Sequence, residues 1–378
     1  MWKVPLFRIF QDEDDIKKVT DVIKRGDSWA LGPEIKDFEN GIAEHLGSKY
    51  CVAFNSGTSA LHAVLLACKI KAGSKVAVPS FSFIATANCA LFVGAKPVFV
   101  DIEDERLGMD PGHLSKVLAK EKIDALLPVH YAGGPCKIEE ILEEAVKKNS
   151  IVIEDAAESF GSTARGKMTG TFGAAGVLSF APNKVITTGE GGAVITDNRE
   201  IYERLLLARS HGRMDVAGGY FSSSETSDYV ELGYNFRMSS MVAALGISQL
   251  AKVEKIIKMR REKASYLNDK LHSIPGVKVP TEPKGCRHVY QIYSVRVPKT
   301  KRDGLSKKLK EAGIMSKVYF APIHLTTFYK REFGYRGGEL PATEQISSEI
   351  LSLPIYPHIS TQEMDLVCKV VSGFLGRS

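Results

Sequence analysis

The chain has 378 residues, a net charge of +6, 44% hydrophobic residues and 25% charged residues, enough for one large core with a smaller one appended. The charge is spread along the sequence without a basic block, which argues against a nucleic-acid partner, and no apolar run approaches the ~20 residues that span a bilayer. Six scattered cysteines without a Cys-x-x-Cys pair, and an opening segment that turns acidic without a secretory apolar core, point to a reducing, cytoplasmic location.

Residues 12–25 have helical spacing, with Ile16, Val19, Val22 and Ile23 on one face, and a second amphipathic helix follows the 26–33 turn to about residue 45. From Tyr50 onward short apolar runs alternate with helical patterns. Strands are predicted at 50–54, 75–79, 97–101, 125–129, 151–155, 176–180 and 193–196, with helices such as 59–68 and 138–147 between them. Continuous apolar strands alternating with helices predict an α/β fold whose mostly parallel central sheet is covered by helices on both faces. The pattern changes after Asn198. A helix continues over 203–209, 218–227 is a polar loop, and one long helix over 239–272 leads to a smaller C-terminal α/β domain. That domain has a strand at 289–297, a helix at 303–312 and a closing helix at 362–375. The boundary is placed at residue 255, giving a large domain of 1–255 and a small one of 256–378.

Asn55, Ser56, Gly57, Thr58 and Ser59 join a strand to a helix. They form either a phosphate site at a helix N-terminus or a plain cap by Thr58 or Ser59, worth about 1 kcal/mol. Asp155 ends an apolar strand, where open α/β sheets place ligand-binding groups. It either holds a ring nitrogen protonated or caps the next helix. Lys184 sits between Phe180 and Val185-Ile186, with Gly189-Glu-Gly-Gly192 behind it; a constrained, desolvated lysine is a candidate for imine formation. Phe81 and Phe83 either stack on a cofactor ring or pack in the core. Gly233-Tyr-Asn235-Phe-Arg237 is a polar and aromatic run or a helix-entry turn. The histidines form no metal set, and His324 either faces substrate or is structural. The absence of Gly-x-Gly-x-x-Gly after the first strand gives a dinucleotide site little support.

Together these segments resemble the pyridoxal-phosphate sugar-nucleotide aminotransferases of the DegT/DnrJ/StrS type. The resemblance runs nearly end to end, through Trp29-Ala-Leu-Gly-Pro33, Asn55-Ser-Gly-Thr58, Pro79-Ser-Phe-Ser-Phe83, Glu154-Asp-Ala-Ala157, the lysine segment from Ser179 to Gly192, Gly233-Tyr-Asn-Phe-Arg237 and Leu351-Ser-Leu-Pro-Ile-Tyr-Pro357. It implies the type I aminotransferase fold and pyridoxal 5'-phosphate as cofactor. It further implies imine formation and proton transfer at Lys184, pyridinium pairing at Asp155, phosphate contacts from Gly57, Thr58 and Ser179, and ring stacking by Phe83. Asn235 matches a residue that reaches the phosphate of a neighbouring subunit, so the resemblance implies a homodimer with shared active sites, with Trp29 also near its neighbour's site. Tyr319 and His324 fall in the substrate-facing segment.

The implied reaction is transfer of an amino group from a donor, glutamate, to a keto-deoxy sugar nucleotide in deoxyamino-sugar and polysaccharide biosynthesis. The alternatives are a sugar dehydratase, whose members replace the lysine by histidine, and a silent scaffold or regulator, against which the full lysine, aspartate and phosphate-loop set argues. One departure concerns Glu158. Many relatives carry glutamine there, donating a hydrogen bond to the phenolic oxygen of the cofactor, and a carboxylate would repel a phenolate unless protonated or redirected. Glu158 and Pro-Asn-Lys184 resemble perosamine-type 4-aminotransferases, but the motifs do not fix the nucleotide, the sugar or a carbonyl at carbon 3 or 4.

Overall fold

The computed structural model describes residues 2–214, 224 and 226–376, and most of the predicted 218–227 loop lies outside them. Two helices, α1 (Glu13–Arg25) and α2 (Pro33–Leu46), open the fold. There follow β1 (Tyr50–Phe54), α3 (Gly57–Ala67), β2 (Lys75–Pro79), α4 (Ala85–Phe92), β3 (Lys96–Val100), α5 (Pro111–Lys120), β4 (Ala125–Leu126) and α6 (Ile138–Lys148). The large domain is completed by β5 (Ile151–Asp155), β6 (Ala175–Ser179), β7 (Gly192–Thr196) and α7 (Arg199–Arg209).

The seven strands form one sheet in the order β1-β7-β6-β5-β4-β2-β3. All neighbours are parallel except that β7 runs antiparallel to both β6 and β1. The C-terminal ends of β1, β2, β5 and β6 therefore share one edge with the start of β7. Side chains alternate between the two faces. Val52, Phe54, Ile153, Val177 and Val194 pack on the α3, α4 and α7 side, while Ala53, Leu178, Ala193 and Ile195 pack on the α2 side. Burial of both faces explains why the strands read as unbroken apolar runs.

The predicted 239–272 helix is two, α8 (Ser240–Leu250) and α9 (Val253–Leu271). The break falls where the Lys252 ammonium turns to Asp12 and Asp15 of the α1 capping box, at 2.5 and 2.7 Å. The first turns of α9 bury Ile256 and Ile257 in the large domain; its later turns bury Ala264, Leu267 and Leu271 in a separate C-terminal core. There β8 (Tyr293–Arg296) pairs antiparallel with β9 (Ile350–Leu353), flanked by α10 (Lys299–Glu311), α12 (Pro341–Glu349) and α13 (Thr361–Leu375), while α11 (Thr327–Phe333) packs through Tyr329 on the large-domain core. β8 is shorter than the predicted 289–297 strand because Val289 and Ile292 donate instead to the carbonyls of Gly133 and Ala132. Val4 also belongs to this second core, although it lies within the 1–255 span read from the sequence as the large domain. Lys3 donates to Gly313, Met315 to Val4 and Ile355 to Leu6, at 2.9, 2.9 and 3.2 Å.

Glu154 ties the sheet to the segment behind it. It is fully buried, and its two oxygens accept from the N–H groups of Gly170, Phe172 and Gly173 at 2.6–2.8 Å and from His130 Nε2 at 2.8 Å. His130 Nδ1 accepts from the Cys136 N–H at 3.1 Å, so Nε2 is its donor nitrogen. Glu154→Ala leaves four donors without an acceptor, two of them fully buried, and is expected to cost about 3–5 kcal/mol of folding stability, seen as a lower urea midpoint.

Candidate functional site

At the edge where β1, β2, β5 and β6 end lies a cavity of about 480 Å³, within the range of small-molecule sites. It takes its floor from the sheet. Asp155, the last residue of β5, is 4% exposed, and its Oδ2 accepts from the Thr86 hydroxyl at 2.8 Å. Thr86 in turn faces the Ser82 hydroxyl at 2.7 Å. Asp155 Oδ1 accepts from the Ala157 N–H at 3.2 Å. Burial pushes the Asp155 carboxyl above the usual range, against the opposing pull of Thr86, Ala157 and Lys184.

Lys184 reaches the cavity from the connection between β6 and β7. Because β7 is reversed, that connection is a hairpin, closed by Phe180 and Gly191 at 2.9 Å and by Thr188 and Phe180 at 3.0 Å. Phe180, Val185 and Ile186 are buried on either side of the lysine, and Gln291 Nε2 donates to the Asn183 carbonyl at 2.6 Å. The lysine is thus held by packing on both flanks. Its Nζ lies 3.8 Å from Glu158 Oε1, with the two side chains 14% and 8% exposed. Glu158 Oε2 accepts from the Ala132 N–H at 2.8 Å. Burial raises the Glu158 carboxyl too, opposed by Lys184 and the Ala132 N–H and reinforced by Asp155.

The third wall is the first turn of α3. Its cap is Ser56, which accepts from the Ser59 N–H at 3.0 Å, so the cap is neither Thr58 nor Ser59. This leaves the N–H groups of Gly57 and Thr58 without helical acceptors beside the cavity. The turn packs closely on the sheet. A Cβ at Gly57 would stand 3.0 Å from the Ser179 Cβ, and one at Gly192 would fall 2.5 Å from the Ser56 carbonyl carbon. Phe83 is 59% exposed and lines the cavity, whereas Phe81 is buried in a core cluster; of the two aromatics, only Phe83 is free to meet a ligand.

The expected residues Gly57, Thr58, Phe83, Asp155, Glu158, Ser179, Lys184 and Tyr319 all line this one cavity. Three others do not. His324 is fully buried, with Nδ1 2.7 Å from the Ser80 hydroxyl and Nε2 3.1 Å from Glu344. The structure thus corrects its substrate-facing reading to the structural one, since both ring nitrogens are engaged away from the cavity. Trp29 is 46% exposed and donates to the Val22 carbonyl, and Asn235 is exposed beside Asn55; neither reaches the cavity of its own chain. Sequence reasoning missed the Ser82–Thr86 relay, the Ala132 N–H, Phe7 and Lys317, which also line or support the site. Nothing local in the sequence marks Phe7 or Ala132. Thr86 alone had a signal, lying three residues beyond the motif phenylalanine.

A helix N-terminus, two buried carboxylates, a fixed lysine and a free aromatic ring make a site suited to a planar phosphorylated group with a basic ring nitrogen. The DegT/DnrJ/EryC1/StrS aminotransferase family model matches residues 10–372. The chain is 34% identical over 344 residues to GDP-perosamine synthase of Escherichia coli O157:H7, covering 91% of this chain and 90% of that one. It is 33% identical to the pleiotropic regulatory protein of Geobacillus stearothermophilus, covering 96% and 95%. Among solved structures it superposes on S. venezuelae DesV in complex with a ketimine intermediate, with a TM-score of 0.91, 28% identity and full coverage of both chains. The chain therefore belongs to the DegT/DnrJ/EryC1/StrS aminotransferase family and has the type I aminotransferase fold.

Thr86→Val removes a donor that favours ionised Asp155. The expected result is a fall in amino transfer of about tenfold, with the acid limb of the kcat/KM profile moved to higher pH. The urea midpoint should change little.

Proposed function

We propose that this aminotransferase moves an amino group from glutamate to a keto-deoxy sugar carried on a nucleotide, with pyridoxal 5'-phosphate held in the Lys184 cavity. Asp155 carries the reading. It is a 4% exposed carboxylate with no ion pair among the described residues, in the same cavity as a fixed lysine. A cationic ring nitrogen is the partner such a group lacks. Around it the N–H groups of Gly57 and Thr58 and the Ser179 hydroxyl suit the phosphate, and Phe83 suits the ring face. When bound, the cofactor supplies a carbonyl that condenses with amines and a ring that takes up the electron pair of a carbon acid.

Lys184 Nζ would anchor the cofactor and, once its amine is free, carry a proton between the substrate carbon and the cofactor carbon. Asp155, once paired with a cation, is drawn back toward its ionised form and keeps the ring nitrogen protonated. Glu158 keeps Oε2 on the Ala132 N–H, and burial, which raises its carboxyl, favours a proton on Oε1 that can be donated. It thereby fills the donor role of the glutamine it replaces. Lys317 and Tyr319, with Nζ 4.8 Å from the ring centroid, line the same cavity and offer charge and stacking to a phosphorylated substrate. The GDP-perosamine synthase relative supports a sugar nucleotide as acceptor.

Asn235 and Trp29 serve the cavity of a second copy in a homodimer. Their position outside their own cavity supports this. Among the described residues no helix is long and apolar enough to cross a membrane, and all six cysteines are free thiols, which suits a reducing cytoplasm. The regulatory-protein relative favours a second reading, a cofactor-bound protein that exchanges no amines; glutamate-dependent bleaching of the cofactor band separates the two.

The purified protein is expected to show a visible cofactor band that borohydride removes while fixing the cofactor to Lys184, located by peptide mass spectrometry. Lys184→Ala should abolish amino transfer, and retained activity in that variant would refute the assignment. Asp155→Asn should lower kcat by about 100-fold or more, the scale of a lost general acid–base or electrostatic contribution. Shared sites predict complementation: co-expressed Lys184→Ala and Asn235→Ala chains, each inactive alone, should form heterodimers with one intact site and measurable activity.

A further inference from the structure

A larger cleft, about 610 Å³, lies behind the catalytic cavity. It opens between the 104–107 loop, the 131–135 turn and residues 277–296. Its walls include Leu107, Val277, Val279, Pro280 and Ile292, and its cations are Arg106, Lys278 and Arg296. Arg296 is neutralised by Asp104 at 2.5 Å and Glu349 at 2.8 Å, and Glu105 stands 3.3 Å from Lys137. Arg106 and Lys278 form no ion pair among the described residues. The Arg106 guanidinium makes one long hydrogen bond, 3.4 Å to the Cys136 carbonyl, and its Nε is buried without a partner. An arginine left this poorly satisfied beside an apolar wall is suited to a carboxylate or phosphate attached to an apolar body.

The wall between this cleft and the catalytic cavity is thin. Ala132 lines the cleft, and its N–H donates to Glu158 Oε2 at 2.8 Å. Tyr131 also lines the cleft, and its hydroxyl donates to the Tyr319 carbonyl at 2.6 Å. Ala132 and Gly133 both have positive φ, at 58° and 97°, and Ile292 and Val289 clamp them from the C-terminal domain. A group seated in the cleft lies against the turn that holds Glu158 and Tyr319.

We propose that the cleft is a second ligand site, for a small anion with an apolar body, and that filling it shifts Glu158 and Tyr319 in the catalytic cavity. The effect on the cofactor rests on the pyridoxal reading; the binding does not. The probe is anilinonaphthalene sulfonate, an apolar ring system with one anionic group, titrated by fluorescence into the holoenzyme. Octanoate and octyl phosphate as competitors tell a carboxylate preference from a phosphate one. Binding should weaken about tenfold in Arg106→Gln and severalfold in Lys278→Gln, whose exposed position spares the fold. It should be lost in Val279→Trp, which fills the cleft. Bound probe should also change amide hydrogen exchange over 131–134 and 317–320 and shift the visible cofactor band. Affinity unchanged within twofold in all three variants, or binding that leaves both amide segments unaltered, overturns the proposal. Amides that respond in a protein with no cofactor band uphold it and count against the pyridoxal reading instead.

Discussion

The alternation of a β-strand sends consecutive side chains to opposite faces, and on β5 that rule separates two carboxylates with opposite fates. Glu154 turns into the protein and meets three backbone N–H groups and His130. Asp155 turns to the cavity and meets two donors and, among the described residues, no ion-paired cation. The first is a saturated acceptor that fixes the height and twist of the strand end. The second is an unsaturated one, and burial makes its charge costly until a cation arrives. β6 and the segment at Pro128 and His130 are hydrogen-bonded around that strand end, so it sets the position of the neighbouring site residues.

The reversal of β7 completes the arrangement. In a fully parallel sheet the segment after Ser179 would have to cross a face of the sheet before pairing again. Here it folds straight back, so the lysine rides on a tight hairpin whose two legs are both buried. Packing, rather than a charge partner, sets the position of Lys184, since its nearest carboxylate stands at 3.8 Å. A loosely paired amine on a rigid support can exchange bonds without the backbone having to follow.

Much of this was legible in the sequence. The strands were visible because burial on both faces writes unbroken apolar runs, and the lysine was visible because glycines and apolar neighbours bracket it. Strand ends shifted by a residue or more where a bulge of irregular chain took over the hydrogen bonds, as at Val289 and Ile292. The 239–272 helix was read as one because its hydrophobic pattern continues through Ala251 and Lys252; the break is set by acids on α1 that lie far away in sequence. His324 misled for a related reason. A histidine near a motif carries no mark of which way it faces, and its partners Ser80 and Glu344 come from separate elements. Phe7 and Ala132 contribute through position alone, which no composition or spacing encodes.

Phe7 lines the cavity, while Val4 and Leu6 just before it are hydrogen-bonded to residues 315 and 355. Residues 3–7 are made before the segments that hold them, which follow more than three hundred positions later. During synthesis the lysine hairpin and the aspartate strand can form while one wall of their pocket is still missing. The pocket is closed only by a join between two segments far apart in sequence. Slow steps in maturation are therefore expected at that seam and not in the sheet, and the catalytic cavity is finished only after the C-terminal core has folded.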